Sequence, residues 1–164
     1  MPDLIHRPAL TKEPLVGERI RLAPMPEGTL LEVRGPQAEL PALEAAADAA
    51  GLVIRTNGPD QWFAISGQPM LRLDLPDIFS VTDQSHGRVR IAMEGAAVDD
   101  VLAKGMAVDL FDFKIGAATT ALIGHITTHI ARLDRDRFEL TVLRSFAESL
   151  WHDLETMSAE FLDR

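Results

Sequence analysis

Five histidines and several neighbouring carboxylates are the residues of this sequence whose types could do chemistry. His125 and His129 lie four positions apart, so on a helix they would share one face and could bind one metal ion. The surrounding residues Ile126, Thr127, Thr128 and Ile130 are β-branched and favour a strand. Because four residues along a strand span roughly 13 Å, the two side chains would be too far apart to share an ion. We interpret both as structural or surface histidines.

A second group combines the residue types of a catalytic triad within four positions: Asp83, Ser85 and His86. Residues this close in sequence rarely reach the geometry of nucleophile, base and orienting carboxylate. Ser85 also lacks the G-x-S-x-G sequence that exposes a nucleophile between a strand and a helix. We predict that these residues form a polar loop capping the following strand.

The remaining candidates also favour structural roles. Asp99 and Asp100 are adjacent on a predicted helix, so their carboxylates diverge and are expected on a solvated face. Trp62 and Trp151 could stack on a pterin or flavin ring, but their strand and helix positions favour core packing. Neither G-x-G-x-x-G nor G-x-x-x-x-G-K occurs in the sequence. We therefore predict no catalytic, cofactor-binding or metal-binding residue in this chain.

Composition excludes several functional classes. A formal net charge of −9 disfavours nucleic-acid binding, which needs clustered Lys and Arg. No segment is apolar over the length that crosses a bilayer, and we expect neither a secretory leader nor membrane association. The absence of cysteine excludes disulfides and thiolate chemistry, so we expect a cytoplasmic protein. At 164 residues the chain can form one domain with a substantial core.

An internal duplication determines the predicted fold. The order strand, glycine, helix, hairpin occurs in residues 29–66 and again in residues 88–142, with Gly35 and Gly95 at equivalent places. In the second copy we predict one long strand over Ala121–Leu133. The fold class is α+β: two β-α-β-β units related by pseudo-twofold symmetry, with half-repeats at about 28–80 and 81–164. A further strand is predicted at Met70–Leu75.

Two segments flank or complete these repeats. Residues 1–27 carry five prolines and are predicted to be an extended arm with one short strand at Glu18–Leu22. The arm either wraps its own domain, residues 28–164, or lies along a partner. At the other end, Ser145 and Glu148 have the spacing of a capping box that opens a long amphipathic helix.

The second half of the chain resembles a known family. Val81–Leu110 and Ala121–Leu154 are similar to the gamma subunit of heterotetrameric sarcosine oxidase. The RSFAESLW segment, Arg144–Trp151, is its most specific part, and Gly58–Ser66 fits in the first half. The layout is more distantly similar to the folate-binding domain of the glycine-cleavage aminomethyltransferase, which is also a duplicated β/α unit.

The resemblance implies an accessory, non-catalytic subunit of an oxidoreductase complex that oxidatively demethylates sarcosine to glycine. In that family FAD, FMN, NAD and tetrahydrofolate belong to the partner subunits, which are named alpha, beta and delta. The chain would then carry no cofactor and no active site of its own.

Two departures from these families leave alternatives open. Aminomethyltransferases place a catalytic aspartate in a Gly-Gly-hydrophobic-x-Asp-Asp sequence, whereas this chain has Gly124-His125-Ile126-Thr127-Thr128 and no carboxylate. After Asp109-Leu110 this chain also has a shorter loop than is usual for the gamma subunits. The alternatives are a subunit of a related N-methyl amino acid dehydrogenase, for example for N-methylglutamate, and a free-standing folate-binding or structural domain that could form a homodimer.

Overall fold

Two antiparallel sheets form the framework of residues 6–162, the part of the chain that the computed structural model describes. The first four strands are β1 (Leu15–Val16), β2 (Arg21–Pro24), β3 (Thr29–Arg34) and β4 (Val53–Gly58). The next three are β5 (Gln61–Ser66), β6 (Ser80–Asp83) and β7 (Arg88–Glu94). The last three are β8 (Ala118–Ile123), β9 (Ile126–Asp134) and β10 (Arg137–Leu143). The helices are α1 (Leu40–Ala49), α2 (Val98–Ala103) and α3 (Ala147–Ser158).

The strand orders of the two sheets confirm the predicted duplication. The four-stranded sheet has the order β4-β5-β3-β6, and the six-stranded sheet has the order β1-β2-β7-β10-β9-β8. In the first unit the chain order is β3, α1, β4 and β5. In the second unit it is β7, α2, β8, β9 and β10, in which β8 is an additional strand. Each unit therefore places its three common strands in the same order, β4-β5-β3 and β9-β10-β7.

The two units also exchange a strand, which sequence periodicity did not predict. β2 directly precedes β3 in the chain but pairs with β7 of the other sheet. In the same way, β6 precedes β7 but pairs with β3. Each sheet thus gains a strand from the segment that leads into the other sheet. This exchange ties the halves together twice.

The predicted long strand at Ala121–Leu133 is wrong. β8 ends at Ile123, Gly124 and His125 form a turn, and Ile126 begins β9 as the partner of Ile123. Gly124 has a φ of +59°, a left-handed conformation that glycine adopts without steric cost. The positions of two isoleucines argue against a single strand. Ile123 and Ile126 are both buried although they are three positions apart, and residues three apart on one regular strand point to opposite faces of the sheet.

Other local predictions were displaced. The strand predicted at Met70–Leu75 is absent, and strand β6 follows instead at Ser80–Asp83. Pro69 and Pro76 bracket the irregular segment, and proline supplies no N–H for a sheet. The strand predicted at Glu18–Leu22 corresponds to β2, which begins three residues later than predicted. β1 is an additional strand.

The capping box predicted at Ser145 is also wrong. A 3₁₀ turn occupies Arg144–Phe146, and Phe146 rather than Ser145 precedes the first residue of α3. No side-chain hydrogen bond caps this helix start in the described part of the chain. The 3₁₀ turn moves the start of the α-helix past the serine, so the spacing of Ser145 and Glu148 no longer fits the capping geometry.

Each sheet packs a helix against one face. On the six-stranded sheet, α3 buries Leu150, Trp151 and Leu154, and on the four-stranded sheet α1 buries Leu43 and Ala47. Within residues 6–162, no helix has the length and apolar content required to span a membrane.

The N-terminal segment packs against the core of its own chain. Leu10, Ile20 and Leu22 are buried in the same apolar cluster as Trp151. Gly95 permits this approach, because a Cβ at that position would lie 2.3 Å from the carbonyl oxygen of Arg19. The segment from residue 6 to 27 therefore contacts its own domain. The division into an arm at residues 1–27 and a domain at residues 28–164 remains a prediction.

Candidate functional site

A buried charged cluster joins the two sheets. Arg55 on β4 places Nη1 2.7 Å from Oε1 of Glu139 on β10, and their side chains are only 13% and 3% exposed. Arg90 on β7 places Nη1 3.6 Å from the same carboxylate oxygen. Although these two atoms are close, their geometry is not that of a hydrogen bond, and the contact is an ion pair. One carboxylate thus lies between two guanidinium groups, an arrangement that offsets the cost of burying charge.

His129 lies beside this cluster. Its Nε2 is 2.9 Å from the carbonyl oxygen of Thr56, and its ring meets the Phe63 ring edge-on at 5.0 Å between centroids. Because a carbonyl only accepts hydrogen bonds, Nε2 carries the proton of the neutral ring. Burial is the main cause that lowers the pKa of His129 from its ordinary 6.5 to about 4; the nearby Arg55 also lowers it. His129 is therefore a neutral bridge between β9 and β4.

The free energy of unfolding should fall as the pH is lowered from about 6.5 to about 4. In this range the unfolded chain protonates His129, whereas the folded chain holds it neutral, so protonation favours unfolding. The contribution is up to about 3 kcal/mol. Urea unfolding across this pH range should show a flatter profile for His129→Gln than for the natural protein. His125→Gln is the matched control and should keep the natural profile, because His125 is exposed in the β8–β9 turn. Parallel profiles for the natural protein and His129→Gln would contradict the assignment.

Ser85 and His86 lie in a polar loop, as predicted, whereas Asp83 is the last residue of β6. The loop ties two strands together. Oδ1 of Asp83 accepts a hydrogen bond from the backbone N–H of Ser85 at 2.8 Å. Hydrogen bonds from Ser85 lower the pKa of Asp83. Oγ of Ser85 in turn accepts from the backbone N–H of Leu30 on β3 at 3.0 Å. The serine is therefore engaged in fixing the β6–β7 connection against the neighbouring strand.

The adjacent aspartates diverge as expected, yet Asp99 is more than a solvated residue. Its Oδ2 accepts a hydrogen bond at 3.0 Å from Nη2 of Arg132, a side chain 10% exposed. Asp100 instead lies 3.8 Å from Arg19. The partner of Asp99 comes from β9, so its role was invisible in the local pattern.

Both tryptophans belong to apolar cores, as predicted. Trp62 and Trp151 are each 2% exposed, and they lie in the separate clusters of the four-stranded and six-stranded sheets. Neither ring face is open for stacking on a flavin or pterin.

A surface cluster that the sequence did not indicate brings together His6, Glu27 and His86. Nε2 of His6 lies 2.6 Å from Oε2 of Glu27, and Nδ1 of His86 lies 3.9 Å from the same oxygen. The two imidazole rings are 4.8 Å apart between centroids. The residues come from the N-terminal segment, the β2–β3 connection and the β6–β7 connection, so no spacing rule could have found them.

Comparison with known proteins gives consistent results. The sequence pattern of the family described as "Sarcosine oxidase, gamma subunit family" matches residues 39–160. Curated protein sequences gave no match.

Two of the solved structures that match show the shared fold. One is a chain of the heterotetrameric sarcosine oxidase from Corynebacterium sp. U-96 in complex with pyrrole 2-carboxylate, with a TM-score of 0.73 and 23% identity, covering 90% of this chain and 88% of that one. The other is the glycine cleavage system aminomethyltransferase T from Bartonella henselae, with a TM-score of 0.57 and 17% identity, covering 84% of this chain and 45% of that one. At these identities the likeness establishes the fold, a folate-binding-domain-like arrangement of two antiparallel sheets.

Proposed function

The chain belongs to the sarcosine oxidase gamma subunit family, and we propose that it is the accessory gamma subunit of a heterotetrameric, flavin-dependent sarcosine oxidase. In this proposal the complex demethylates sarcosine oxidatively to glycine, and tetrahydrofolate accepts the one-carbon unit. Alpha, beta and delta subunits carry FAD, FMN, NAD and the folate, and the assembly resides in the cytoplasm.

The family match over residues 39–160 carries this proposal. It extends from the start of α1 to the end of α3 and so includes most of both β-α-β-β units. The fold shared with a chain of a heterotetrameric sarcosine oxidase supports the same role, since 90% of this chain takes part in that likeness.

The contacts of the buried ionisable groups support an accessory role. Glu139 is held between Arg55 and Arg90, His129 is bonded to a backbone carbonyl, and Arg132 is bonded to Asp99. Each of these groups stabilises contacts between strands and helices. A catalytic group is instead aimed at a space that a substrate can enter.

Two loops expose apolar side chains that a larger subunit would cover. In the β5–β6 loop Met70 is 91% exposed and Ile78 53%, and in the α2–β8 loop Phe111 is 90% exposed and Ile115 60%. Aromatic residues and methionine are enriched in the contact surfaces of protein complexes, and aromatic residues dominate the energies of these contacts. We infer that these two loops contact the flavin-bearing subunits.

Co-expression of the tagged chain with the alpha, beta and delta subunits tests the proposal. We expect a complex that co-purifies with flavin absorbance. Phe111→Ser should weaken its assembly by about 10-fold or more, because an exposed aromatic anchor would be lost. The isolated variant should unfold at the temperature of the natural chain, which separates loss of contact from loss of fold. A chain that never retains flavoprotein under these conditions would contradict the proposal.

The fold shared with the aminomethyltransferase favours one second candidate, a free-standing folate-binding protein. Titration of the isolated chain with tetrahydrofolate separates the candidates. Saturable binding without partner subunits would support the second, whereas binding only in the assembled complex would support the first. Replacing sarcosine with N-methylglutamate in assays of the complex identifies a related dehydrogenase.

A further inference from the structure

We propose that His6, Glu27 and His86 form a binding site for a divalent transition-metal ion of the zinc type. The site lies at the surface, where the N-terminal segment meets the connections β2–β3 and β6–β7. It does not depend on the role of the chain in an oxidase complex.

The donor set of this cluster suits an ion of the zinc type. Two imidazole nitrogens and one carboxylate oxygen are the ligands that zinc takes at three-residue sites, where water occupies the remaining position. The side chains of His6, Glu27 and His86 are 49%, 33% and 73% exposed, so water can reach a bound ion. The set therefore suits an open coordination site better than a closed structural one.

The donor atoms of the three residues lie close to one another. One donor atom from each residue lies within 4.8 Å of the other two. Ligands at about 2.0–2.1 Å in tetrahedral geometry are roughly 3.3 Å apart. The contact between His6 and Glu27, at 2.6 Å, has to open, and that between His86 and Glu27, at 3.9 Å, has to close. The donor nitrogens of His6 and His86, up to 4.8 Å apart, have to approach by up to about 1.5 Å. Changes of this size fall within the rotation of exposed side chains.

The backbone around two of the ligands is held in place. Glu27 lies between β2 and β3, which belong to different sheets, and His86 lies between β6 and β7, which do so as well. Gly87 donates a backbone hydrogen bond to Gln84 at 2.9 Å, and Ser85 is bonded to β3. The two strand exchanges thus bring Glu27 and His86 together before any ion binds. His6 would complete the site and fix the N-terminal segment to it.

Neighbouring charges act on the same carboxylate. Nη1 of Arg144 lies 3.7 Å from Oε1 of Glu27, the oxygen that does not face the histidines. A charged partner in this position orients a ligating carboxylate, as outer partners do in known metal sites. It also opposes the charge of the ion, so we expect moderate affinity. Arg144→Gln should change the zinc affinity without removing a ligand.

Calorimetric titration of the full-length, untagged, metal-free protein with ZnCl₂ tests the site. We expect one ion per chain, with affinity at least about 10-fold weaker in His86→Ala and in Glu27→Gln. His125→Ala is the matched control, because His125 is also an exposed histidine in a turn and lies outside the cluster, and it should bind as the natural protein does. Addition of Co²⁺ should give the visible absorption of a four- or five-coordinate ion, and His86→Ala should lose it.

Thermal unfolding provides an independent readout. Zinc should raise the melting temperature of the natural protein and of His125→Ala. The melting temperature of His6→Ala should not change when zinc is added. The proposal is overturned if no saturable binding occurs, or if the cluster variants bind zinc as tightly as the natural protein. Equal weakening by His125→Ala would also overturn it, because the ions would then bind exposed histidines in general.

Discussion

Replacing Glu139 with alanine should lower the free energy of unfolding by about 3–5 kcal/mol. The substitution removes the carboxylate between Arg55 and Arg90, whose side chains are only 13% and 8% exposed, and it leaves two buried positive charges unbalanced. Arg90 keeps long contacts of 3.4 Å with the carbonyl oxygens of Pro26 and Ser66. These neutral groups cannot replace a carboxylate. Urea unfolding followed by circular dichroism measures the loss.

A surface pair provides the control for this prediction. Glu148 lies 3.1 Å from Lys12, but the two side chains are 59% and 43% exposed. Glu148→Ala should therefore cost at most about 1 kcal/mol, because solvent screens the pair. Glu139→Gln, which keeps the shape but loses the charge, should fall between the two. Equal losses for Glu139→Ala and Glu148→Ala would show that the buried cluster does not couple the sheets.

Trp151→Ala should destabilise the protein by about 3–5 kcal/mol as well, since it removes a large side chain that is 2% exposed. Trp151 lies on α3. Its ring belongs to the same apolar cluster as Leu150, Leu154 and the buried residues of the six-stranded sheet. A rigid sheet on one side of the helix limits how far the cavity can collapse. The loss is a large part of the total for a domain of this size.

Trp62→Ala tests whether the two sheets unfold together. Trp62 has the same exposure but belongs to the core of the four-stranded sheet. If the exchanged strands and the Glu139 cluster make one cooperative unit, both variants shift a single unfolding transition to a lower denaturant concentration.

Phe111→Ala, at an exposed loop position, is the control and should change the free energy of unfolding by no more than about 0.5 kcal/mol. A Trp151→Ala protein as stable as the natural chain would contradict the placement of α3.

Most of the local structure followed from the sequence. The order of strand, glycine, helix and hairpin predicted in residues 29–66 depends on neighbouring residues, and it is present as β3, Gly35, α1 and the hairpin of β4 and β5. The errors arose where the same local signal permits two structures. The run Ala121–Leu133 is rich in β-branched residues whether it forms one strand or two, and a single glycine does not decide between them.

By itself, the sequence determined the duplicated α+β order, the amphipathic character of α3 and the family resemblance. These depend on periodicity and motif within short windows of the chain. Only the tertiary structure decided that β2 and β6 exchange sheets, that Glu139 pairs with Arg55 and Arg90, and that His6, Glu27 and His86 meet. The physical reason is that strand pairing brings together residues far apart in the chain. Their contacts depend on which strands become neighbours, and no spacing along the sequence records that choice.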